Sequence, residues 1–425
     1  MRRITAFFLF TAVSSLAFAQ DLVIENARII DGNGGVIDNG SVVVSDGRIV
    51  SVSAGSAAAE SGERIDAGGR TVMPAFTDAH RHVIQGDPDQ WLAEEAAENM
   101  RAWLEAGFTT ILSAGDPPEH ILELRRRLSE GEIEGPRLIA AGRAPLAASP
   151  GGFVPGVDPA RIDQSRGPNR VSETAAAIPH EQTRATVQAL ADAGFDAVKT
   201  VIVTTPDGPE TETLAVIAEE SRRHGMASIT HAVTVVDTMA AVEARTDVLV
   251  HTPHIGHLTD DQVRTIVDSG IPMVSTLGVF VPTFAVDNEM VIERTGHDNI
   301  ARFRDLDPFP YDTLLSAGQG PVNARLLWEE GIVYGYGTDV RFLPDDSLAH
   351  ELRPLRLVFS HTDIVQMLTR NAAITAGLGD ETGTLEAGKR ADIVILDGDP
   401  LDDINAVHDV LLVVRDGEVV VDNLN

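Results

Sequence analysis

The sequence predicts an α/β protein, a (β/α)8 TIM barrel carrying a small β-sandwich domain built from both chain ends. Three observations predict it. Through the middle of the chain, apolar strand-like runs alternate eight times with amphipathic helical stretches, the pattern of a parallel barrel. Both ends instead read as short strands joined by Asp-Gly turns, at Asp46-Gly47 and Asp416-Gly417. Histidines, a lysine and an acid recur at the carboxyl ends of the central runs, where such barrels keep their chemistry.

In chain order, Arg2 and Arg3 precede an apolar run, residues 4–19, that ends in Ala17-Phe18-Ala19. A basic start, a short apolar stretch and an A-x-A cut site predict a cleaved signal peptide over residues 1–19. The expected mature protein is periplasmic or secreted, with no later segment apolar enough to span a bilayer. The chain contains no Cys, which suits an oxidising address and removes thiol nucleophiles and Cys–zinc clusters. A net charge of −31 argues against nucleic acid and anionic membrane as partners, leaving a small-molecule substrate.

Residues 20–70 and 379–425 are expected to form the β-sandwich together, since each end alone has too few strands to bury a face. Val42-Val43-Val44, the Asp46-Gly47 turn and Ile49-Val50 read as one hairpin, and residues 411–414 and 418–421 as another. Residues 391–396 supply a further strand. The barrel, residues 71–378, has expected strands at 72–77, 109–113, 138–141, 197–203, 227–230, 248–250, 273–277 and 333–337. Its helices include 90–106, 181–193, 211–224 and 260–269. Two Pro- and Gly-containing insertions, 142–179 and 278–320, follow strands three and seven and would hang over the mouth as substrate-selecting loops.

Strand one ends in Asp78-Ala79-His80-Arg81-His82. Side chains repeat every two residues along a strand, so His80 and His82 face one point, a metal-ligand arrangement, and Arg81 faces away. Strand four carries Lys199, one of only two lysines in the chain; the other is Lys389. A lysine inside an apolar strand tends to lose its proton, and a neutral amine can take up carbon dioxide as a carbamate able to bridge two metals. Pairing with a nearby acid is the plainer reading. His231 and His251 end strands five and six, and Asp339 emerges from strand eight. Each alone is unremarkable; the set, all at one end of the barrel, points to a metal centre.

These residues, in this order and with the flanking β-domain, resemble the amidohydrolase superfamily over nearly the whole mature chain. Asn371-Ala372-Ala373 and the stretch Gly383-Thr384-Leu385-Glu386-Ala387-Gly388-Lys389-Arg390-Ala391-Asp392 are similar to its second signature, where the family's chain re-enters the β-domain. That gives Lys389 a structural role and Lys199 the chemical one. Gly107-Phe108-Thr109-Thr110 and Gly135-Pro136-Arg137 are shared with the imidazolonepropionase-like branch, which includes secreted Xaa-Pro-type dipeptidases and ochratoxin-degrading amidases. The chain departs from that branch in carrying Leu112-Ser113 for an Arg-Asp pair and Pro150-Gly151-Gly152-Phe153 for a Gly-His motif. Both lie near the substrate end.

The resemblance implies one metal held by His80, His82, Asp339 and carboxylated Lys199, and a second held by carboxylated Lys199, His231 and His251. Imidazole and oxygen ligands without thiolate suit two zinc ions, with Mn²⁺, Co²⁺ or Fe²⁺ as alternatives. It further implies a metal-bridging hydroxide as nucleophile and Asp339 as the group that moves its proton. His254 is expected to stabilise an oxyanion, or to replace His251 as ligand; a part for His257 stays open. Arg143 and Arg341 could clasp a substrate carboxylate or form surface ion pairs. Phe153, Phe280 and Phe284 wall a pocket or pack a core. The expected function is cleavage of an amide or peptide bond in a dipeptide, an N-acyl amino acid or an ochratoxin-like amide. A one-metal deaminase or cyclic-amide hydrolase with an ordinary Lys199 is the alternative. More remote readings are a non-catalytic binding barrel and a lyase or isomerase on the same scaffold. Barrels of this branch often assemble, so a homo-oligomer is among the expectations.

Overall fold

The computed structural model describes residues 22–57, 62–148, 174–281 and 311–424. The signal segment 1–19, Phe153, Phe284 and the Pro150–Phe153 stretch lie outside the described residues, as does most of the two insertions. Among the described residues no helix is long and apolar enough to cross a membrane.

Five strands come first: β1 (Leu22–Ile30), β2 (Val36–Ser45), β3 (Arg48–Ala54), β4 (Glu63–Asp66) and β5 (Thr71–Pro74). The next eight are β6 (Phe76–Arg81), β7 (Phe108–Ser113), β8 (Arg137–Arg143), β9 (Ala197–Val201), β10 (Ala227–His231), β11 (Val248–Val250), β12 (Met273–Val274) and β13 (Tyr334–Gly335). The chain closes with β14 (Ile393–Leu396), β15 (Val410–Arg415) and β16 (Glu418–Asp422).

The two chain ends do form one sheet, ordered β16-β15-β14-β5-β1-β2-β3, with β4 also pairing β1. Both Asp-Gly turns are two-residue hairpin turns with positive φ at each position: Asp46 50° and Gly47 75°, Asp416 50° and Gly417 85°. Alternation along the strands separates two cores. Ile393, Ile395, Leu412 and Val414 pack with Leu22, Ile24, Val42 and Ile49 in the core of the small domain. Val394, Leu396 and Val413 face the other way, into the barrel's core.

β6 to β13 follow one another in order, each parallel to the next. The last strand returns to the first through Ala79 N–H to Tyr336 O (3.1 Å) and Thr338 N–H to His80 O (3.1 Å). Helices such as Ala96–Glu105, His180–Asp192, Glu210–Arg223 and Asp260–Asp268 alternate with these strands. The lower end is sealed by aromatic edges, Phe76 on Phe108 (5.5 Å) and Trp103 on Phe108 (5.0 Å). Gly107 passes so close to Phe76 that a Cβ would sit 2.8 Å from its ring, at φ +86°, which accounts for the glycine there.

The run expected as one strand at 72–77 divides at Ala75. Residues up to Pro74 belong to the small sheet, Ala75 N–H binds Asp392 O (3.0 Å), and Phe76 opens the barrel. Both pieces are buried on both faces, so the apolar run continues across the crossing and hides it. Strand seven is shorter than expected because the chain turns into the left-handed region at Thr276 (φ +47°) and leaves the ladder.

Candidate active site

At the upper rim, β6 carries His80 inward, 1% exposed, and His82 follows immediately after it. Arg81 takes the opposite face, its guanidinium 3.9 Å from the Trp103 ring centroid and donating to Phe342 O at 3.2 Å. Three strands along the barrel, β9 holds Lys199 with Nζ 3.1 Å from His80 Nε2. Burial pulls this amine down to about 7, with the charge of Asp339 opposing the shift. Among the described residues no carboxylate lies within ion-pair distance of it, and Asp339 acts on it through its charge.

Asp339, just beyond β13, places Oδ1 3.5 Å from His82 Nε2 and 3.6 Å from His80 Nε2, and Oδ2 3.8 Å from His251 Nε2. Burial pushes its carboxyl up to about 6 against the pull of Lys199. Burial likewise holds His80 and His251 well below the usual imidazole range and brings His82 to about 4. His231 ends β10 and meets the His251 ring edge-on at 4.2 Å. His80, His82, Lys199, His231, His251 and Asp339 therefore form one contiguous cluster.

The cluster fits a divalent cation. His80, His251 and Asp339 offer ligand atoms all within 4.8 Å of one another. His80 Nδ1 and His251 Nε2 are buried without hydrogen-bond partners, a costly state for polar atoms. Neutral imidazoles beside a carboxyl are the donor set that zinc and similar ions take. The backbone is strained at the same place: His251 (φ +76°), Thr276 (+47°) and Asp339 (+51°) end three neighbouring strands in the left-handed region.

A cavity of about 560 Å³ opens over the cluster. His80, His82, Lys199, His231 and Asp339 line its floor, with Arg143 and His254 beside them; Val201, Val203, Val233, Ile255 and Phe280 form an apolar wall. His254 stacks on Phe280 (3.8 Å, 17°), and burial lowers it to about 4. Arg143 hangs into the cavity from the end of β8, its Nε donating to Gly115 O at 2.8 Å. Arg341 is exposed and does not line the cavity, though its charge acts on His82 and Asp339. His257 is exposed and likewise absent from the lining.

Three supporting groups escaped sequence reasoning. Asp116 accepts from Val83 N–H (2.9 Å), Ile84 N–H (3.2 Å) and Ser113 Oγ–H (2.7 Å), pinning the chain just past His82. Thr276 Oγ1 lies 2.6 Å from His251 Nδ1. Glu351, wholly buried, accepts from the strand-seven loop. A polar residue shortly after a strand end was the available signal for Asp116; nothing in the sequence singles out the other two.

Comparison with known proteins places these features. Residues 71–420 match the Amidohydrolase family. Ochratoxinase of Aspergillus niger is 24% identical over 370 residues, covering 80% of this chain and 72% of its own. Its crystal structure superposes with a TM-score of 0.71 at 20% identity, covering 95% of this chain and 96% of that one. A Xaa-Pro dipeptidase crystallised with methionine in its active site also superposes with a TM-score of 0.71, at 22% identity over 94% of this chain and 99% of its own. Imidazolonepropionase of Thermoanaerobacter pseudethanolicus is 34% identical over 111 residues, 23% of this chain and 26% of its own.

Proposed function

The chain belongs to the amidohydrolase family, as a hydrolase acting on carbon–nitrogen bonds, and from that premise we propose an exported two-metal amidase for dipeptides or N-acyl amino acids. The observation that carries this reading is the cluster itself. His80, His251 and Asp339 bring ligand atoms within 4.8 Å of one another, and His82, Lys199 and His231 adjoin them under a cavity of about 560 Å³.

His80, His82 and Asp339 would hold one ion and His231 and His251 the other, with carboxylated Lys199 as a ligand available to both. His251 rather than His254 is the ligand, since its Nε2 faces Asp339 while His254 is stacked on Phe280. To form the bridge, the neutral Lys199 amine adds to carbon dioxide; one N–C bond forms and one proton leaves. When bound, two divalent ions, with zinc the best match to these donors, lower the pKa of a water and polarise the scissile carbonyl.

Asp339, whose carboxyl sits near 6, accepts the proton of the attacking water and returns it to the leaving amine. His254, neutral and held by Phe280, donates to the oxygen that gains charge. Arg143 binds a substrate carboxylate, while the valine, isoleucine and phenylalanine wall takes an apolar side chain. Arg341 stands further out and steers the same charge. An apolar wall beside the Arg143 guanidinium favours an acylated or dipeptidyl amino acid, an ochratoxin-like amide included. Arg2-Arg3 and the Ala17-Phe18-Ala19 site support export to the periplasm or medium.

One observation favours a second reading: His80, His251 and Asp339 alone suffice for a single ion, as a deaminase or cyclic-amide hydrolase would use with Lys199 unmodified. The test is the protein prepared in ¹³C-bicarbonate with zinc and screened on dipeptides, N-acyl amino acids, cyclic amides and aminated heterocycles. A carbamate ¹³C line together with linear-amide hydrolysis supports the two-metal reading. No such line, with activity confined to cyclic amides or deamination, overturns it.

A further inference from the structure

We infer that Glu351 is the positioning residue of this site: one buried carboxyl, outside the cavity, sets the strand-seven rim and through it both histidines that follow strand six. The inference rests on the proposed parts of His251 and His254.

Glu351 lies in the helix Pro344–Val358 and is 0% exposed. Its Oε1 accepts from Ser275 Oγ–H at 2.7 Å and Leu277 N–H at 2.8 Å, and its Oε2 from Gly278 N–H at 2.6 Å. All three donors belong to the four residues that follow β12. The two backbone donors open the short helical turn Leu277–Phe280, whose first N–H groups have no partner within the turn. The packing leaves no slack, because a Cβ on Gly278 would sit 2.9 Å from Glu351 Oε2 and 2.5 Å from His350 Nδ1.

Two arms run from this anchor to the site. Thr276, between the first two donors, is held at φ +47°, a conformation that costs a β-branched residue energy and persists only where its surroundings impose it. In that conformation its Oγ1 meets His251 Nδ1 at 2.6 Å. With the Nδ1 proton donated to Thr276, the Nε2 lone pair of His251 is left facing the cluster. The second arm is Phe280, at the end of the turn, which stacks on His254 at 3.8 Å and meets His251 edge-on at 5.3 Å. A carboxyl that served only to satisfy buried N–H groups would need neither arm.

The test uses the full chain with Glu351→Gln, Thr276→Val and Phe280→Ala, singly and in pairs. It measures the denaturant midpoint, zinc retained after dialysis, and the ¹⁵N signals of the histidine rings in metal-free protein. For Glu351→Gln, the expected result is cooperative unfolding, a shifted or broadened His251 signal and about a tenfold loss of zinc affinity. Adding Thr276→Val should deepen that loss little, and in turnover assays the KM change of Glu351→Gln should overlap that of Phe280→Ala. Unchanged ring signals and zinc affinity with only a lower midpoint, or strictly additive pairs, would overturn the inference. A wild type that binds no zinc contradicts the proposed function, while the metal-free ring spectra still judge Glu351. Should Glu351→Gln fail to fold, Glu351→Asp, which keeps the acid and shortens its reach, is scored on the same readouts.

Discussion

The two ends of the barrel treat buried charge in opposite ways. At the lower end, Arg137 reaches Asp392 (3.0 Å) and Asp416 (2.7 Å), and Arg390 also binds Asp416 (2.8 Å). Asp392, its side chain wholly buried, further accepts from Thr382 Oγ–H and Asp416 N–H, each at 3.0 Å. At the upper end, ring nitrogens of His80, His251 and His254 are buried without partners, and three rim residues are held in the left-handed region. The two lysines sort the same way. Lys389 donates to Gly379 O (2.8 Å) beside Glu386, whereas Lys199 faces an imidazole. Each unpartnered buried polar atom costs about 1–3 kcal/mol. The Arg137, Arg390, Asp392 and Asp416 network holds the small domain to the barrel; the upper end is built to be completed by something bound.

If that contrast is right, substitutions at the two ends should separate activity from stability. The largest effect belongs to the upper end: Asp339→Asn should lower kcat about 10³-fold while leaving the unfolding midpoint unchanged or higher. Near-normal turnover would remove Asp339 from the proton path. At the lower end, Asp392→Ala leaves Arg137 without its buried partner and should cost about 3 kcal/mol in denaturant unfolding, with turnover per folded molecule unaltered. A change in kcat there would erase the distinction between the ends.

Smaller effects sharpen the picture at the cavity. Arg143→Met should raise KM about tenfold for a substrate with a free carboxylate, from loss of a charge-assisted hydrogen bond, and leave its methyl ester unaffected. Equal changes for both would mean that Arg143 does not read the carboxylate. The smallest effect is on pH. Burial pushes the Glu351 carboxyl from 4.5 up to about 8, so the folded state holds this proton more tightly than the unfolded chain. Its contribution is full below about pH 4.5 and is lost as pH rises through 8. Glu351→Gln should flatten the fall in stability across that window; an unchanged slope would place the titration elsewhere.

Much of this contrast is legible in the sequence, and the reasons differ by region. The hairpins announced themselves because Asp46-Gly47 and Asp416-Gly417 must take positive φ, which few residue pairs do cheaply. His80 and Lys199 were legible because an imidazole or an amine is costly to bury in an apolar strand unless something there binds it. The crossing at Ala75 was not, since burial on both faces removes the periodicity that would mark it. Nor were Thr276 and Glu351, which act over 25 and 76 residues of sequence through a backbone conformation and a loop. Arg143 and Arg341 looked alike as arginines after strands, yet only Arg143 reaches the cavity wall.

The central claim is that Lys199 belongs to a shared metal centre, and metal content measured together with amide hydrolysis tests it most directly. The wild type and Lys199→Ala would be purified side by side with zinc and bicarbonate. The account predicts two ions per chain and turnover of a dipeptide or N-acyl amino acid in the wild type. In Lys199→Ala it predicts one ion or none and no turnover. One ion in both proteins, with the variant still active, would contradict it.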